Sequence, residues 1–171
     1  MFTTLTQRLT DYAADFILRQ VASRRPFFLY LAYHHVHFPQ FAGAAFRNTS
    51  RRGSFGDSLA EVDHSVGQLV ALLDELAVRG DTLVLLTSDN GPDLQEQGGG
   101  GQAGSPGLFR CGKGTTWEGG YRVPALVSWP GQVVPGRRHE LVSGLDILPT
   151  VVSLATGTSP AVSQLDGYDI R

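Results

Sequence analysis

Leu5, Leu9, Tyr12, Ala13, Phe16, Ile17 and Val21 recur at helical spacing until Pro26 intervenes, which predicts an amphipathic helix from about Thr4 to Ser23. The next run, Phe27 to Tyr33, is apolar and aromatic without alternation. That is the mark of a strand covered on both faces, so it is expected as a central strand of a parallel or mixed sheet. Between Phe38 and Gly56 the Gly, Pro, Asn and Ser residues, with Arg47, Arg51 and Arg52, predict a loop. Leu59, Val62, Val66, Leu69, Leu73 and Leu76 then alternate spacings of three and four, predicting a second helix that buries this stripe. Ser54-Phe55-Gly56-Asp57 reads as its capping box and Gly80 as its C′ residue. Thr82 to Ser88 and Pro124 to Trp129 follow as buried strands, and Leu145 to Ala155 as a helix with Pro149 near its start. Strand and helix alternate, which favours an α/β sandwich. Residues 95–107, with four consecutive glycines at Gly98 to Gly101, form a glycine-rich loop, and no internal repeat is visible.

At 171 residues, 42% hydrophobic and 18% charged, the chain has the profile of one globular domain or a piece of one. Its net charge of -2 gives no general attraction to nucleic acid or anionic membranes, so any anion binding must be local. No run of about 20 apolar residues exists, and the opening residues lack the basic and apolar regions of a signal peptide. No segment is therefore expected to span a membrane. The single cysteine, Cys111, has no internal partner for a disulfide and no companions for a thiolate metal site.

Three places carry candidate chemistry. Asp89 and Asn90 follow an apolar run in Ser88-Asp89-Asn90-Gly91, where a strand gives way to a loop. Both side chains offer oxygens to a hard cation such as Ca²⁺ or Mg²⁺, although two ligands fall short of the six or so required and Asp-Asn-Gly-Pro is also good turn chemistry. Lys113, bracketed by Gly112 and Gly114 and followed by Thr115 and Thr116, could place an ammonium on an anionic oxygen such as that of phosphate or sulfate. It is not a P-loop, and a solvated lysine is the competing reading. In His34-His35-Val36-His37, an extended chain would turn His35 and His37 to one side as a zinc pair. Alternatively His37 acts singly on a leaving oxygen near neutral pH, or the cluster is ordinary loop histidine. Asn48-Thr49-Ser50 is a glycosylation sequon in a polar loop. Asp57, Glu61 and Asp63 are explained by the helix dipole, and His64 and His139 as structural or exposed.

Taken in order, the motifs Arg25-Pro26-Phe27-Phe28-Leu29-Tyr30, His35-Val36-His37-Phe38-Pro39-Gln40-Phe41, Phe55-Gly56-Asp57-Ser58-Leu59, Thr87-Ser88-Asp89-Asn90-Gly91-Pro92 and Arg110-Cys111-Gly112-Lys113-Gly114-Thr115-Thr116-Trp117-Glu118-Gly119-Gly120 resemble the middle of a sulfatase of the arylsulfatase kind. The likeness continues through Leu145-Asp146-Ile147-Leu148-Pro149-Thr150 to Leu165-Asp166-Gly167-Tyr168-Asp169. It implies an alkaline-phosphatase-like α/β fold, of which residues 1–171 are part of the large domain and 158–171 the start of the following segment. It also implies hydrolysis of aryl sulfates or sulfated glycolipids, with Ca²⁺ or Mg²⁺ as cofactor and a lysosomal or secretory location. By residue, Asp89 and Asn90 match metal ligands, His37 the histidine that contacts sulfate and assists the leaving alcohol, and Lys113 the lysine bridging sulfate and leaving oxygen. Cys111 matches a cysteine disulfide-bonded to a later region.

The departures from the family are equally specific. The formylglycine nucleophile of sulfatases is made from a cysteine in Cys-x-Pro-x-Arg, and Cys111 is followed instead by Gly112-Lys113-Gly114. The paired acidic ligands of the amino-terminal strand and the carboxyl-terminal subdomain are also absent. This chain alone is therefore expected to be inactive. The alternatives are a noncatalytic sulfatase-like remnant that binds a partner, or a phosphodiesterase or phosphatase of the same superfold. Oligomeric state is left open.

Overall fold

The computed structural model describes residues 2–94, 104–160 and 165–171. Most of the expected loop at 95–107 lies outside the described residues. The elements in chain order are α1 (Leu5–Ala22), α2 (Gly53–Glu75), β1 (Val84–Thr87), α3 (Glu118–Tyr121), β2 (Ala125–Ser128) and α4 (Ile147–Thr156), with single 3-10 turns at Phe2–Thr4, Arg79–Asp81 and Gly144–Asp146. Among the described residues no helix is long and apolar enough to cross a membrane. Two compact units divide the chain, Met1–Val134 and Pro135–Arg171.

In the first unit α1 and α2 pack together, and the buried stripe of each is rich in small residues. Thr6, Thr10, Ala13 and Ile17 are buried on α1, and Asp57, Ser58, Glu61, Ser65 and Leu73 on α2. This corrects the expectation for α2: Leu59 is 51% exposed, and of the predicted leucine and valine stripe only Leu73 is fully inside. Short side chains permit close approach of the two axes, and the hydroxyls among them return to backbone, as Thr10 Oγ1 does to Thr6 O at 2.8 Å and Ser58 Oγ to Ser54 O at 2.5 Å. The buried stripe is thus polar yet satisfied, while Ile17 and Leu73 contribute apolar burial of about 1.5–3 kcal/mol each.

Helix ends also depart from expectation. No side-chain cap bond forms at the start of α2; Ser54 lies inside the helix, and its hydroxyl donates to Gln40 Oε1 at 3.2 Å. The capping box appears instead at Ser143 and Asp146, ahead of α4. Gly80 is not the C′ residue of α2. The helix stops at Glu75, and Ala77 takes the left-handed position at φ 56°, with Ala77 N–H bonded to Asp74 O and Val78 N–H to Leu73 O in a Schellman arrangement. Arg24, at φ 51°, ends α1 in the same way.

The segment 27–33 is extended but joins no ladder among the described residues, so the central strand expected there is not formed by this chain. Its burial alternates residue by residue. Phe27, Leu29, Leu31 and Tyr33 turn inward, with Phe27 edge-on to Phe16 and Tyr33 OH 3.0 Å from Thr10 Oγ1, while Tyr30 is 82% exposed. Burial also raises the Tyr33 phenol above its ordinary range. β1 and β2 pair antiparallel, with Leu85 opposite Val127 and Leu86 opposite Leu126, and both strands are exposed rather than buried. Arg79 donates to Ser128 Oγ and Trp129 Nε1 to Gly80 O at 2.8 Å, which fixes the register from the approach to β1.

In the second unit Asp146 is buried and accepts from the Ser143 and Tyr168 N–H groups, at 2.7 and 2.8 Å. Asp169 accepts from the Ser153 and Ser159 hydroxyls. Two carboxylates thus tie 165–171 back to α4 and the turn before it.

Candidate functional site

β1 ends at Thr87 and delivers Asp89 and Asn90 to a loop that is clasped by the glycine-rich segment 110–120. Gly91 N–H donates to Gly120 O at 2.8 Å, Lys113 N–H to Pro92 O at 2.8 Å, and Gly119 N–H to Arg110 O at 2.9 Å. Glycine is required here by close approach. A Cβ on Gly91 would lie 1.9 Å from Gly119 O, on Gly112 2.3 Å from Pro92 O, on Gly119 2.0 Å from Cys111 O and on Gly120 2.3 Å from Thr115 O. Gly112, beside Lys113, thus makes room for the neighbouring loop. Thr115 likewise donates to Gly112 O at 2.8 Å, closing its own turn.

Lys113 lies between two left-handed residues, Cys111 at φ 60° and Gly114 at φ 83°. It is half-buried, and its ammonium has no hydrogen bond or ion pair among the described residues. The neighbouring cations are occupied. Arg110 stacks over Trp117 at 3.9 Å, while Arg122 lies 4.8 Å over Phe109 and bonds Glu118 at 2.9 Å. The Arg122 guanidinium, followed by the Tyr121 hydroxyl, holds the Glu118 carboxyl below its ordinary range. Sequence reading missed the four-residue helix α3 that presents Glu118 and Tyr121, because Glu-Gly-Gly-Tyr carries no helical periodicity.

The histidine segment divides its residues between inside and outside. The His35 side chain is 0% exposed and its Nε2 lies 3.0 Å from Glu61 Oε2, itself on a side chain 6% exposed. His35 Nδ1 is buried without a partner among the described residues. Burial pushes the His35 imidazole down, against the upward pull of Glu61. The neutral tautomer that satisfies this geometry carries its proton on Nε2 and donates it to the carboxylate. His37 is exposed; its Nδ1 lies 2.6 Å from Phe38 O, a pure acceptor, so Nδ1 carries a proton and Nε2 is left open. The zinc pair of His35 and His37 therefore does not form, because one ring is spent inside on Glu61. Glu61, assigned to the helix dipole from sequence, is a buried acceptor. The signal that could have found it is its place with Ser58 and Ser65 on one short polar stripe of α2.

Contacts connect this segment toward the first loop pair. Gln40 Nε2 donates to Val36 O at 3.5 Å and receives the Ser54 hydroxyl on its Oε1; next in α2, the Phe55 ring lies 3.5 Å from where a Cβ on Gly104 would stand, and Pro92 3.1 Å from it. The structure thus brings the Asp89-Asn90 loop directly against Lys113, and relates the His37 segment to them through Gln40, α2 and Gly104.

Asn48 is exposed at φ 61°, in a loop held by Asp57, which accepts the Asn48, Thr49 and Ser50 N–H groups at 2.7, 3.2 and 2.8 Å. These bonds, that from Ser50 foremost, keep the Asp57 carboxyl below its ordinary range. Asp57 therefore caps the preceding loop and not its own helix. A cavity of about 310 Å³ beside it is lined by Thr3, Gln40, Phe41, Arg47, Asn48 and Asp57, among others.

Among the described residues no group of three or more His, Cys, Asp or Glu side chains gathers as a cation site. Asp89 and Asn90 have the hard-oxygen chemistry of a Ca²⁺ or Mg²⁺ site but supply only two side chains of the roughly six oxygens such an ion takes. They fit part of a shell.

Comparison with known proteins places this geometry in context. The sulfatase family model matches residues 2–158. The chain is 49% identical to human (Homo sapiens) arylsulfatase A over 166 residues, 97% of this chain and 32% of that protein. It is 46% identical to rat (Rattus norvegicus) steryl-sulfatase over 169 residues, 97% of this chain and 29% of the relative. To dog (Canis lupus familiaris) N-acetylgalactosamine-6-sulfatase it is 46% identical over 167 residues, 97% of this chain and 32% of the relative. The chain thus spans about a third of the length of the curated relatives it matches. Among solved structures, the PsFucS1 sulfatase from Pseudoalteromonas sp. superposes with a TM-score of 0.86 at 31% identity, covering 98% of this chain and 33% of the other. Ps i-CgsB, in complex with k-i-k-neocarrahexaose, superposes at 0.84 and 35% identity, covering 96% and 37%. The fold is accordingly a portion of the alkaline-phosphatase-like α/β architecture of these neighbours.

Proposed function

The chain belongs to the sulfatase family, and we propose that the full-length protein carrying it is a sulfuric ester hydrolase acting on aryl sulfates or sulfated glycolipids. The observation that supports this most is the clasp between the Asp89-Asn90-Gly91-Pro92 loop and Lys113. It brings the backbone that carries Asp89 and Asn90 against the backbone that carries Lys113, whose ammonium has no protein partner among the described residues. In this reading Asp89 and Asn90 hold Ca²⁺ or Mg²⁺ together with ligands from another part of the protein. When bound, that ion withdraws charge from a sulfate oxygen. A formylglycine hydrate, also supplied from outside these residues, provides the attacking oxygen.

Lys113 pairs its ammonium with a sulfate oxygen and the ester oxygen, where negative charge grows as the sulfur–oxygen ester bond breaks. His37 acts as the imidazolium: Nδ1–H stays on Phe38 O and fixes the ring, while the second proton, on Nε2, passes to the departing alcohol oxygen and leaves the neutral imidazole. Residues 1–171 form part of the large sulfatase domain, with 158–171 opening the next segment. The reading extends to a lysosomal or secretory location for the full-length protein, in which the exposed Asn48 of the Asn48-Thr49-Ser50 sequon is a glycan acceptor.

In the full-length protein, Lys113→Ala is expected to lower kcat on 4-nitrocatechol sulfate by about 10²-fold or more with thermal unfolding unchanged. Turnover near that of the wild type would refute the role. Because the ammonium bonds no protein group among the described residues, its removal costs the fold little.

A further inference from the structure

The buried pair formed by His35 and Glu61 has no part in the chemistry above, yet it lies two residues from His37. Glu61 projects from the third turn of a 23-residue helix, and its Oε2 lies 3.0 Å from His35 Nε2, with both side chains almost wholly excluded from water. Its other oxygen lies against Gly43, where a Cβ would come within 2.9 Å of Oε1. One carboxylate thus abuts the chain on both sides of the segment 36–42. The His35 ring packs on Phe41 with centroids 4.5 Å apart, and His34 stacks on the same ring at 5.6 Å and 17°. His37 N–H closes the turn on His34 O at 3.0 Å. The exposed imidazole therefore rides on a short turn held to α2 at two places, by the Glu61 carboxylate at His35 and by Ser54 through Gln40.

We propose that Glu61 is a positioning residue for His37, holding the His34–Phe41 turn so that the His37 Nε2 proton meets the departing oxygen of the ester. This inference rests on the sulfatase reading and on His37 as proton donor within it. Among the described residues, the polar groups facing His35 are Glu61 alone at Nε2 and nothing at Nδ1, so the carboxylate is the one polar tether of that ring. A tether of this kind acts through orientation, for which an error of about 1 Å can cost on the order of 10²-fold in rate.

The test uses leaving-group dependence in the full-length protein. Glu61→Gln keeps the shape of the side chain and removes the charge that receives the imidazole N–H. With 4-nitrophenyl sulfate, whose leaving phenolate needs little protonation, kcat is expected to fall about twofold; with unactivated phenyl sulfate it should fall about tenfold or more. Gly43→Ala, which crowds Glu61 Oε1 by a few tenths of an ångström, should give a weaker skew in the same direction. It stands in for Glu61→Gln should that variant not fold. A structural role alone would lower the two substrates equally, and Leu73→Ala on the same helix provides that pattern. Equal losses, or none, in an active protein overturn the inference and leave the sulfatase reading intact. A full-length wild-type protein that hydrolyses neither ester overturns both.

Discussion

Gly91→Ala is the sharpest perturbation of the clasp, because the atom it adds has a fixed place. The new Cβ would stand 1.9 Å from Gly119 O, 2.9 Å from the Gly119 carbonyl carbon and 3.2 Å from Gly120 C, all backbone. Ordinary contact begins near 3.4 Å, so 3.4 Å less 1.9 Å leaves about 1.5 Å of separation that the two loops must open. No rotamer can absorb it. The Gly91 N–H bond to Gly120 O and the Lys113 N–H bond to Pro92 O, both 2.8 Å, would stretch beyond hydrogen-bond range. Leaving buried backbone groups unpaired costs about 1–3 kcal/mol each, so a destabilisation of roughly 2–5 kcal/mol is expected. A displacement above 1 Å between Lys113 and the Asp89-Asn90 pair should lower kcat on an aryl sulfate by about 10²-fold or more even where the variant remains folded. Urea unfolding and steady-state kinetics of the full-length protein measure the two effects separately. Gly80→Ala is the control, since a Cβ there meets nothing within 4 Å. Gly91→Ala with wild-type stability and turnover would show that the loops are not in contact, and the account of the site would fall with it.

Two substitutions, one within α2 and one just past its end, should stabilise the protein in urea unfolding. Gly67→Ala fills an exposed, interior helical position with open space around it and should gain about 0.5–1 kcal/mol, and Ala77→Gly relieves a left-handed residue at φ 56° for a gain of about 1 kcal/mol. Asp169 has its carboxyl lowered from 3.8 to about 2, first by the Ser153 hydroxyl. A lowered folded value means the unfolded state binds more protons in that interval, so this contribution is complete above about pH 4 and is lost as pH falls toward 2. Asp169→Asn should flatten acid unfolding over that window, as followed by circular dichroism; an unchanged acid profile would discount the tie between Asp169 and α4.

How legible the molecule was in its sequence differs from element to element. Helix α1 and strands β1 and β2 were found within a residue or two, because their apolar residues follow the period of the backbone. The Asp89, Asn90 and Lys113 candidates were visible as types placed at the ends of runs. Which face of α2 is buried was not visible: the leucine stripe is the stronger hydrophobic signal, yet Ser58, Glu61 and Ser65 are the buried positions. Pattern reports what a residue favours on average, whereas close helix approach is decided by the size of side chains on two elements at once. Ser54 and Asp57 fit the capping-box spacing but spend their oxygens on Gln40 and on the 48–50 loop. Their partners lie up to 14 residues away, and a local rule cannot see them.

By itself the sequence determined the helical and strand periods, the absence of a general charge attraction and the residue types able to hold a cation, an oxyanion and a proton. Only tertiary structure decided that His35 belongs to Glu61 and His37 to solvent, that four glycines serve chain-to-chain contact, and that Lys113 has no protein partner among the described residues. The physical reason is that burial and hydrogen bonding are properties of pairs brought together across long separations. A side chain's type fixes what it can donate or accept, and the fold fixes to whom.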